Sequence, residues 1–451
     1  MLELNNKRVL VVGLGKSGLA AAHFLKERGA RVTVSDARPA TLINELSSLL
    51  DEGFIVEAGS HGLLTFRRQD LIVVSPGVPM STPELMTVRA IGARIIGELE
   101  LGAQFLQGEI VAITGSNGKT TTTALMGEIL VAAGRPTLVG GNIGRPVTAM
   151  VAESTLETWS VLEVSSFQLE TVETFRPRIA IVLNITPDHL DRHGTFAAYA
   201  AAKARITERQ TADDSLILNA EDAPTQGIAA KTKAQIHWFS ARRQIKQGAF
   251  VHGDSIFFTA KEGATPEPVM PVAEIALAGQ HNIENVLAAV CAARLAGVPA
   301  DTVRRAVAAF RAVEHRLEFV RELDGVRYFN DSKATNVDAT VKAIEAFPGG
   351  ILLILGGKDK DSDYTVLAPL LRERVKTVIT IGSAAEKIER QLAGVVKIER
   401  AETMERAVAL AHAQATAGDT VLLAPACASF DQFENYEHRG RVFKELVREL
   451  K

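Results

Sequence analysis

The sequence predicts an α/β protein of three domains: a Rossmann-like N-terminal domain, a central P-loop ATPase-like parallel sheet with a small antiparallel appendage, and a C-terminal Rossmann-like domain. Three observations lead there. Short apolar, β-branched runs recur along the chain, each followed by an alanine- and leucine-rich segment of helical period, the pattern of strands covered by helices on both faces. The succession of strand, loop and helix restarts twice. The length, 451 residues, suits about three cores of roughly 150 residues each.

Taken in order, Arg8 to Val12, Arg31 to Ser35 and Leu71 to Val74 build the first series, which ends near Gly97. The helix-like segment Glu98 to Leu106 leads into a second series with strands at Ile110 to Thr114, Ser160 to Val164 and Ile179 to Leu183. Between Gln235 and Val272, Gly and Pro separate short β-like pieces (His237 to Ser240, Ala249 to His252, Ser255 to Thr259), the expected antiparallel appendage. An alanine-rich helix follows over Asn282 to Leu295. The third series carries strands at Val326 to Phe329, Ile351 to Leu355, Val378 to Ile381 and Val421 to Ala424. The expected domains are 1–97, 98–312 and 313–451.

Composition narrows the function classes. An apolar share of 47% and a charged share of 23% exclude disordered, collagen-like and coiled-coil chains. Fifty Lys and Arg against fifty-three Asp and Glu give a net charge of -3 with no long basic run, so a nucleic-acid partner is not expected. Cys291 and Cys427 are too few for a disulfide framework, which points to a reducing, cytoplasmic setting. No apolar run is long enough to span a bilayer, and Met1 to Lys7 lacks a signal pattern.

Gly13, Gly15 and Gly18 follow the first strand and open a helix, while Asp36 ends the next strand. Such glycines permit a tight turn and let backbone N–H groups approach a diphosphate at the helix start. Asp36 would accept from a ribose in either a dinucleotide or a UDP-sugar; the bland reading is a glycine turn serving helix packing alone. The loop Ser75-Pro76-Gly77 lies at another strand end and would add N–H donors from its non-proline residues.

A second loop, Gly115-Ser116-Asn117-Gly118-Lys119-Thr120-Thr121, joins a strand to a helix. Lys119 supplies the cation for phosphate oxygens and Thr120 the hydroxyl for Mg2+, as in a P-loop. The usual first glycine is missing, because Ile113 occupies its place. Glu163 ends a neighbouring strand, where a further Mg2+ ligand is needed. His189 sits between Asp188 and Asp191 at a strand end, open to a metal, substrate or purely structural role, and either aspartate would equally cap a helix. Lys203 lies on an alanine-rich helix, and its ordinary reading is an exposed lysine.

Together these motifs, with Glu163 to Gln168, Asp188 to Asp191, Gly279 to Asn282, Asn285, His315-Arg316 and Asn330 to Asn336, resemble the Mur ligases over essentially the whole chain. Those are ATP-dependent amino-acid ligases of peptidoglycan precursor synthesis. The first domain and Pro425 to Phe433 look like the D-glutamate-adding branch, which implies UDP-N-acetylmuramoyl-L-alanine and D-glutamate as substrates of a monomeric enzyme. The resemblance places the uridine diphosphate at Gly15, Lys16 and Ser17, with Asp36, Arg38, Ser75, Pro76 and Gly77 nearby, and the muramoyl-alanine end at Asn142. It implies ATP and two Mg2+ ions, held by Thr120, Glu163, His189 and a carbamylated Lys203, with adenosine at Asn282, Asn285, Arg316 and Asp331. Lys333, Thr335, Lys360, Ser429 and Tyr436 would approach the amino acid. A lysine carbamate forms when a neutral amine adds CO2, turning a cation into an anion. The rival reading, a nicotinamide-dependent oxidoreductase built on the first glycine loop, leaves Lys119, Glu163 and the third domain without a task.

Overall fold

The computed structural model describes residues 2–277, 279–311 and 314–451; the expected boundary at residue 312 lies outside them. Two compact units result. One holds the chain up to Ile185 with Ala197–Met270 and Leu287–Ala306, the other Thr186–Phe196, Pro271–Val286 and Val307–Lys451.

The first unit contains two sheets. β1 (Arg8–Val12), β2 (Arg31–Asp36), β3 (Ile55–Ala58), β4 (Leu71–Val74) and β5 (Ile95–Gly97) pair in the order β3-β2-β1-β4-β5, parallel throughout. The second sheet comprises β6 (Glu109–Thr114), β7 (Thr137–Gly141), β8 (Trp159–Glu163), β9 (Ile179–Val182), β10 (Ser215–Asn219), β11 (Gln235–Ser240), β12 (Gly248–His252), β13 (Ser255–Thr259) and β14 (Glu267–Pro271). Its order is β14-β13-β12-β11-β10-β9-β6-β8-β7. Interior strands such as β4 and β9 are buried at every position, so they carry neither charge nor alternation.

The expected antiparallel appendage is smaller than the sequence suggests. β11 runs parallel to β10, because the helix Ala223–Ala229 carries the chain back across the sheet before β11 begins, and β12 in turn runs parallel to β11. β12 and β13 do form an antiparallel hairpin, turning at Gly253-Asp254, where Gly253 has φ of 58°, the left-handed geometry that two-residue turns require.

The helix Glu98–Ala103 fastens the first sheet to the second. Adding a Cβ to Gly102 would put it 2.8 Å from the Thr148 backbone nitrogen, so only glycine lets the segments approach this closely. Two glutamates on this helix meet opposite surroundings. Glu100 accepts from the backbone N–H groups of Glu173, Thr174 and Phe175 and from two side chains. Burial opposes its charge, but these donors outweigh burial and lower its pKa. Glu98 accepts from the Thr148 N–H (2.7 Å) and hydroxyl (2.8 Å), both through Oε1, while its buried Oε2 has no partner. Burial wins there, pushing the carboxyl up to about 7.

The second unit holds β15 (Glu318–Leu323), β16 (Val326–Asn330), β17 (Ile351–Gly356), β18 (Val375–Ile381), β19 (Lys397–Glu402) and β20 (Thr420–Leu423), ordered β15-β16-β20-β17-β18-β19. Within this sheet only the β15–β16 pair is antiparallel. The core packs on both faces of the sheet, one side around Leu353, Tyr364 and Leu422, the other around Tyr328, Ile354 and Phe443.

The Glu98 carboxyl has a testable consequence. Its folded pKa of about 7 lies above the ordinary 4.5, so its stabilising contribution is complete below about pH 4.5 and is lost as pH rises through 7. Glu98→Gln, neutral throughout, should melt increasingly above the parent between pH 5 and pH 8, with roughly 3 kcal/mol separating the limits. Parallel melting curves over that range would refute the assignment.

Candidate active site

In the first sheet, the glycine loop is built as its spacing implies. Gly13 has φ of 88°, and a Cβ on Gly18 would lie 1.8 Å from the Gly13 carbonyl oxygen, so Gly18 serves helix–strand contact. A Cβ added at Gly15 or Gly77 would meet nothing within 4 Å, which leaves open backbone at the strand ends. The Ser75 hydroxyl donates to Gly13 O at 2.7 Å. Asp36 accepts from the Leu14 N–H at 2.7 Å and from Arg38; burial raises its pKa, but those donors prevail and bring it to about 2. Lys16 donates to Gly144 O, in the loop that follows Asn142.

In the second sheet, four strand ends converge. Gly115 (φ 152°) and Gly118 (φ 85°) shape the loop, and the helix Lys119–Ala132 starts immediately after. Ser116 and Asn117 N–H groups donate to Asn184 O (2.9 Å) and Oδ1 (2.8 Å). The helix start from Gly118 onward adds further backbone N–H groups, the first of which have no intrahelical acceptor. Lys119 folds over the loop, bonding Gly115 O and Ser116 O at 2.9 Å each.

Glu163 is 1% exposed and accepts from Thr120 Oγ1 (2.8 Å) and Asn142 Nδ2 (2.9 Å). Gly141 makes that possible, since a Cβ there would meet Glu163 O at 2.3 Å. A hydroxyl and a buried carboxylate side by side at a helix start form a hard oxygen set that fits Mg2+. Lys203 is not exposed: it is 2% accessible, donates to Gly115 O at 2.7 Å, and lies 4.8 Å from the Tyr199 ring centre. The structure thus brings Gly115 to Thr121, Asn142, Glu163 and Lys203 together.

The second unit gathers the rest. His189 adopts a left-handed conformation (φ 54°), its N–H held by Asp188 Oδ1 at 2.9 Å. Asp188, which the sequence leaves as a candidate helix cap, also accepts from Asn336 (3.0 Å) and Lys360 (3.4 Å). Lys358 instead pairs through its backbone with Ala428. Asn285 donates to Asn282 at 3.0 Å. Asp331 is buried, its Oδ1 without a partner, as is Arg316 Nε; burial pushes the Asp331 carboxyl up to about 6. The orphaned Asp331 Oδ1 fits a ligand group that donates a hydroxyl hydrogen, and the Arg316 Nε–H one that accepts. Lys333 Nζ stands 3.7 Å from the Tyr436 ring centre, the Thr335 N–H bonds Lys333 O, and Ser429, next to Ala428 in sequence, is buried. A metal-type cluster of Glu314, His315 and Glu318 is also present, but Lys444 bonds both carboxylates.

Three family models cover the chain: Mur ligase MurD-like N-terminal domain over residues 7–97, Mur ligase middle domain over 113–293, and Mur ligase glutamate ligase domain over 315–427. A UDP-N-acetylmuramoylalanine--D-glutamate ligase of Acidobacterium capsulatum is 65% identical, with 99% of this chain and 97% of that one covered. The chain belongs to the Mur ligase family. A ligase of the same name from Koribacter versatilis is 59% identical over 100% of this Mur ligase and 99% of the relative. Among solved structures, the fold is shared with a pseudomurein peptide ligase type C from Methanothermus fervidus (TM-score 0.63, 20% identity, 99% and 100% covered). It is shared also with UDP-N-acetylmuramate-alanine ligase from Thermotoga maritima (TM-score 0.63, 19% identity, 99% and 100% covered).

Asn184, Asp188 and Tyr199, which bonds Ser116 at 2.9 Å, are the site residues to which sequence reasoning assigns none of these roles. For Asn184 and Asp188 the available signal is position just beyond β9. If Thr120 and Glu163 form the oxygen set, Glu163→Gln should weaken Mg-nucleotide binding by roughly ten-fold or more in calorimetry. It should weaken nucleotide binding in EDTA far less; equal losses in both would contradict the metal reading.

Proposed function

We propose that this Mur ligase adds D-glutamate to UDP-N-acetylmuramoyl-L-alanine with ATP hydrolysed to ADP and phosphate, in the cytoplasm, as a monomer. The observation that carries the reading is identity of 65% and 59% over nearly the full length to two ligases named for that reaction. The placing of Thr120 against Glu163, beside the phosphate-type loop, supports it. The domains are proposed as 1–97 for the UDP-sugar, 98–312 for ATP and 313–451 for the amino acid.

A carboxylate in water is a poor electrophile, and ATP remedies this by phosphorylating it. The terminal alanine carboxylate attacks the γ-phosphorus, ADP leaves, and the resulting acyl phosphate is attacked by the neutral amine of D-glutamate with loss of phosphate. The first step brings two anions together. Lys119 and Arg316 supply positive charge to the transferring phosphoryl group. Two Mg2+ ions, held by Thr120, Glu163, His189 and carbamylated Lys203, supply further charge neutralisation when bound. Gly115 to Thr121 hold the phosphates; Asn282, Asn285 and Asp331 hold adenosine, the orphaned Asp331 Oδ1 accepting from ribose. Gly15, Lys16, Ser17, Asp36, Arg38 and Ser75 to Gly77 hold the uridine diphosphate, and Asn142 the muramoyl-alanine end. Lys333, Thr335, Lys360, Ser429 and Tyr436 bind glutamate, with charge-assisted contacts to its carboxylates. The burial of Lys203 against Gly115 O supports the carbamate, which needs an amine shielded from water.

Coupled ADP release should require both UDP-N-acetylmuramoyl-L-alanine and D-glutamate. Turnover as fast with L-lysine would move the chain to another branch. Lys203→Ala should cost roughly ten- to a hundred-fold in rate, with partial recovery on adding short carboxylates; full activity without Lys203 would exclude the carbamate.

A further inference from the structure

Arg439 is fully buried on the helix Tyr436–Glu449, on the stripe it shares with Gly440, Phe443 and Val447. Its partners among the described residues include no carboxylate. Its Nε donates to Ser332 Oγ at 3.0 Å and Nη2 to Ser332 O at 2.8 Å, while Nη1 reaches Cys427 O at 3.1 Å and Ala428 O at 3.3 Å. Asp431 acts on the guanidinium only through its charge, without a hydrogen bond, and burial outweighs it; a methionine of similar length would fill the space without that desolvation penalty. The positions of the four acceptors supply a reason for the arginine.

Ser332 lies between Asp331 and Lys333, and Cys427-Ala428 directly precede Ser429. The Ser332 hydroxyl passes the connection on, donating to Tyr436 O at 2.8 Å. Ala428 pairs with Lys358, and a Cβ on Gly357 would meet Ala428 O at 2.3 Å and Arg439 Nη1 at 3.1 Å. Ala426 N–H to Ala334 O, 2.9 Å, is a further tie between the same two loops. One planar fork of donors thus touches the backbone of each loop beside a candidate ligand residue.

We propose that Arg439 is a positioning residue that couples the loop Asn330–Asn336 to the loop Pro425–Phe433, so that the nucleotide and amino-acid subsites keep or lose their geometry together. This rests on the assignment of Asp331 and Ser429 to ATP and D-glutamate made above.

Steady-state ADP release by the full chain tests the coupling. Arg439→Lys retains charge but replaces the fork with a single point donor. KM for ATP and KM for D-glutamate should rise together by about ten-fold or more, with KM for the UDP-linked substrate within about two-fold of the parent. A merely structural arginine would lower the active fraction and leave all three KM values in place; that result, or a rise in only one of the two, overturns the proposal. Should Arg439→Lys not fold, Ser332→Ala, which removes the shared hydroxyl without adding bulk, is read by the same criteria. Hydrogen exchange of the unliganded chain supplies an activity-independent arm: segments 330–336 and 425–433 should lose protection together in the variant, while β17 stays protected. Unchanged protection in both segments overturns the coupling, whereas a parent chain lacking D-glutamate-dependent ADP release would instead sink the subsite assignment.

Discussion

A strand covered by helices on both faces has no room for charge along its length, so every polar group must wait for the strand's end. That constraint organises the whole chain. β1, β4, β6, β9, β17 and β20 are apolar through their interiors and β8 carries only Ser160 there, and polar groups gather at the strand ends: the glycine loop after β1, Ser75 after β4, Gly115 after β6, Glu163 at the end of β8, Asn184 after β9. Ligand groups gather at one edge because burial excludes them elsewhere, the rule for open α/β sheets in general.

Where charges are nevertheless buried, each is answered by its own local inventory of donors or acceptors. Glu100 has several donors and stays ionised; Glu98, on the same short helix, has them on one oxygen only and leans toward its neutral form. Asp36 is secured by Leu14 and Arg38. Arg439 spreads its charge over four acceptors, none of them a carboxylate. Burial acts on all of them, and the count and direction of partners decides where it is overcome, as at Glu100 and Asp36, and where it is not, as at Glu98.

The same constraint explains what could be read from the sequence. Interior strands announce themselves as continuous apolar runs, and those named from the sequence lie within one to three residues of their observed limits. Edge strands do not: β3, β5, β7, β15 and β19 are short, glycine-ended or as polar as the Lys397–Glu402 segment, since one flank faces no neighbour. β11 was legible as a strand but not in its direction, which the crossover helix sets. Gly115 to Thr121 and Glu163 were legible as strand-end residues because their spacing from a strand is local in the sequence, and the structure brings them together. Arg439 and Asn184 were not, because their roles come from segments distant in sequence. Arg439 left one clue, an arginine standing on the apolar stripe of an otherwise charged helix.

The Asn184 contacts have a bearing on how the phosphate loop meets its ligand. With Ser116 and Asn117 already fastened by that residue, and Tyr199 holding the Ser116 hydroxyl, the turn is moulded during folding. Little ordering entropy would remain to be lost by this loop on meeting an anion, so any affinity it has would reflect the charge of the anion rather than a need to organise the chain around it.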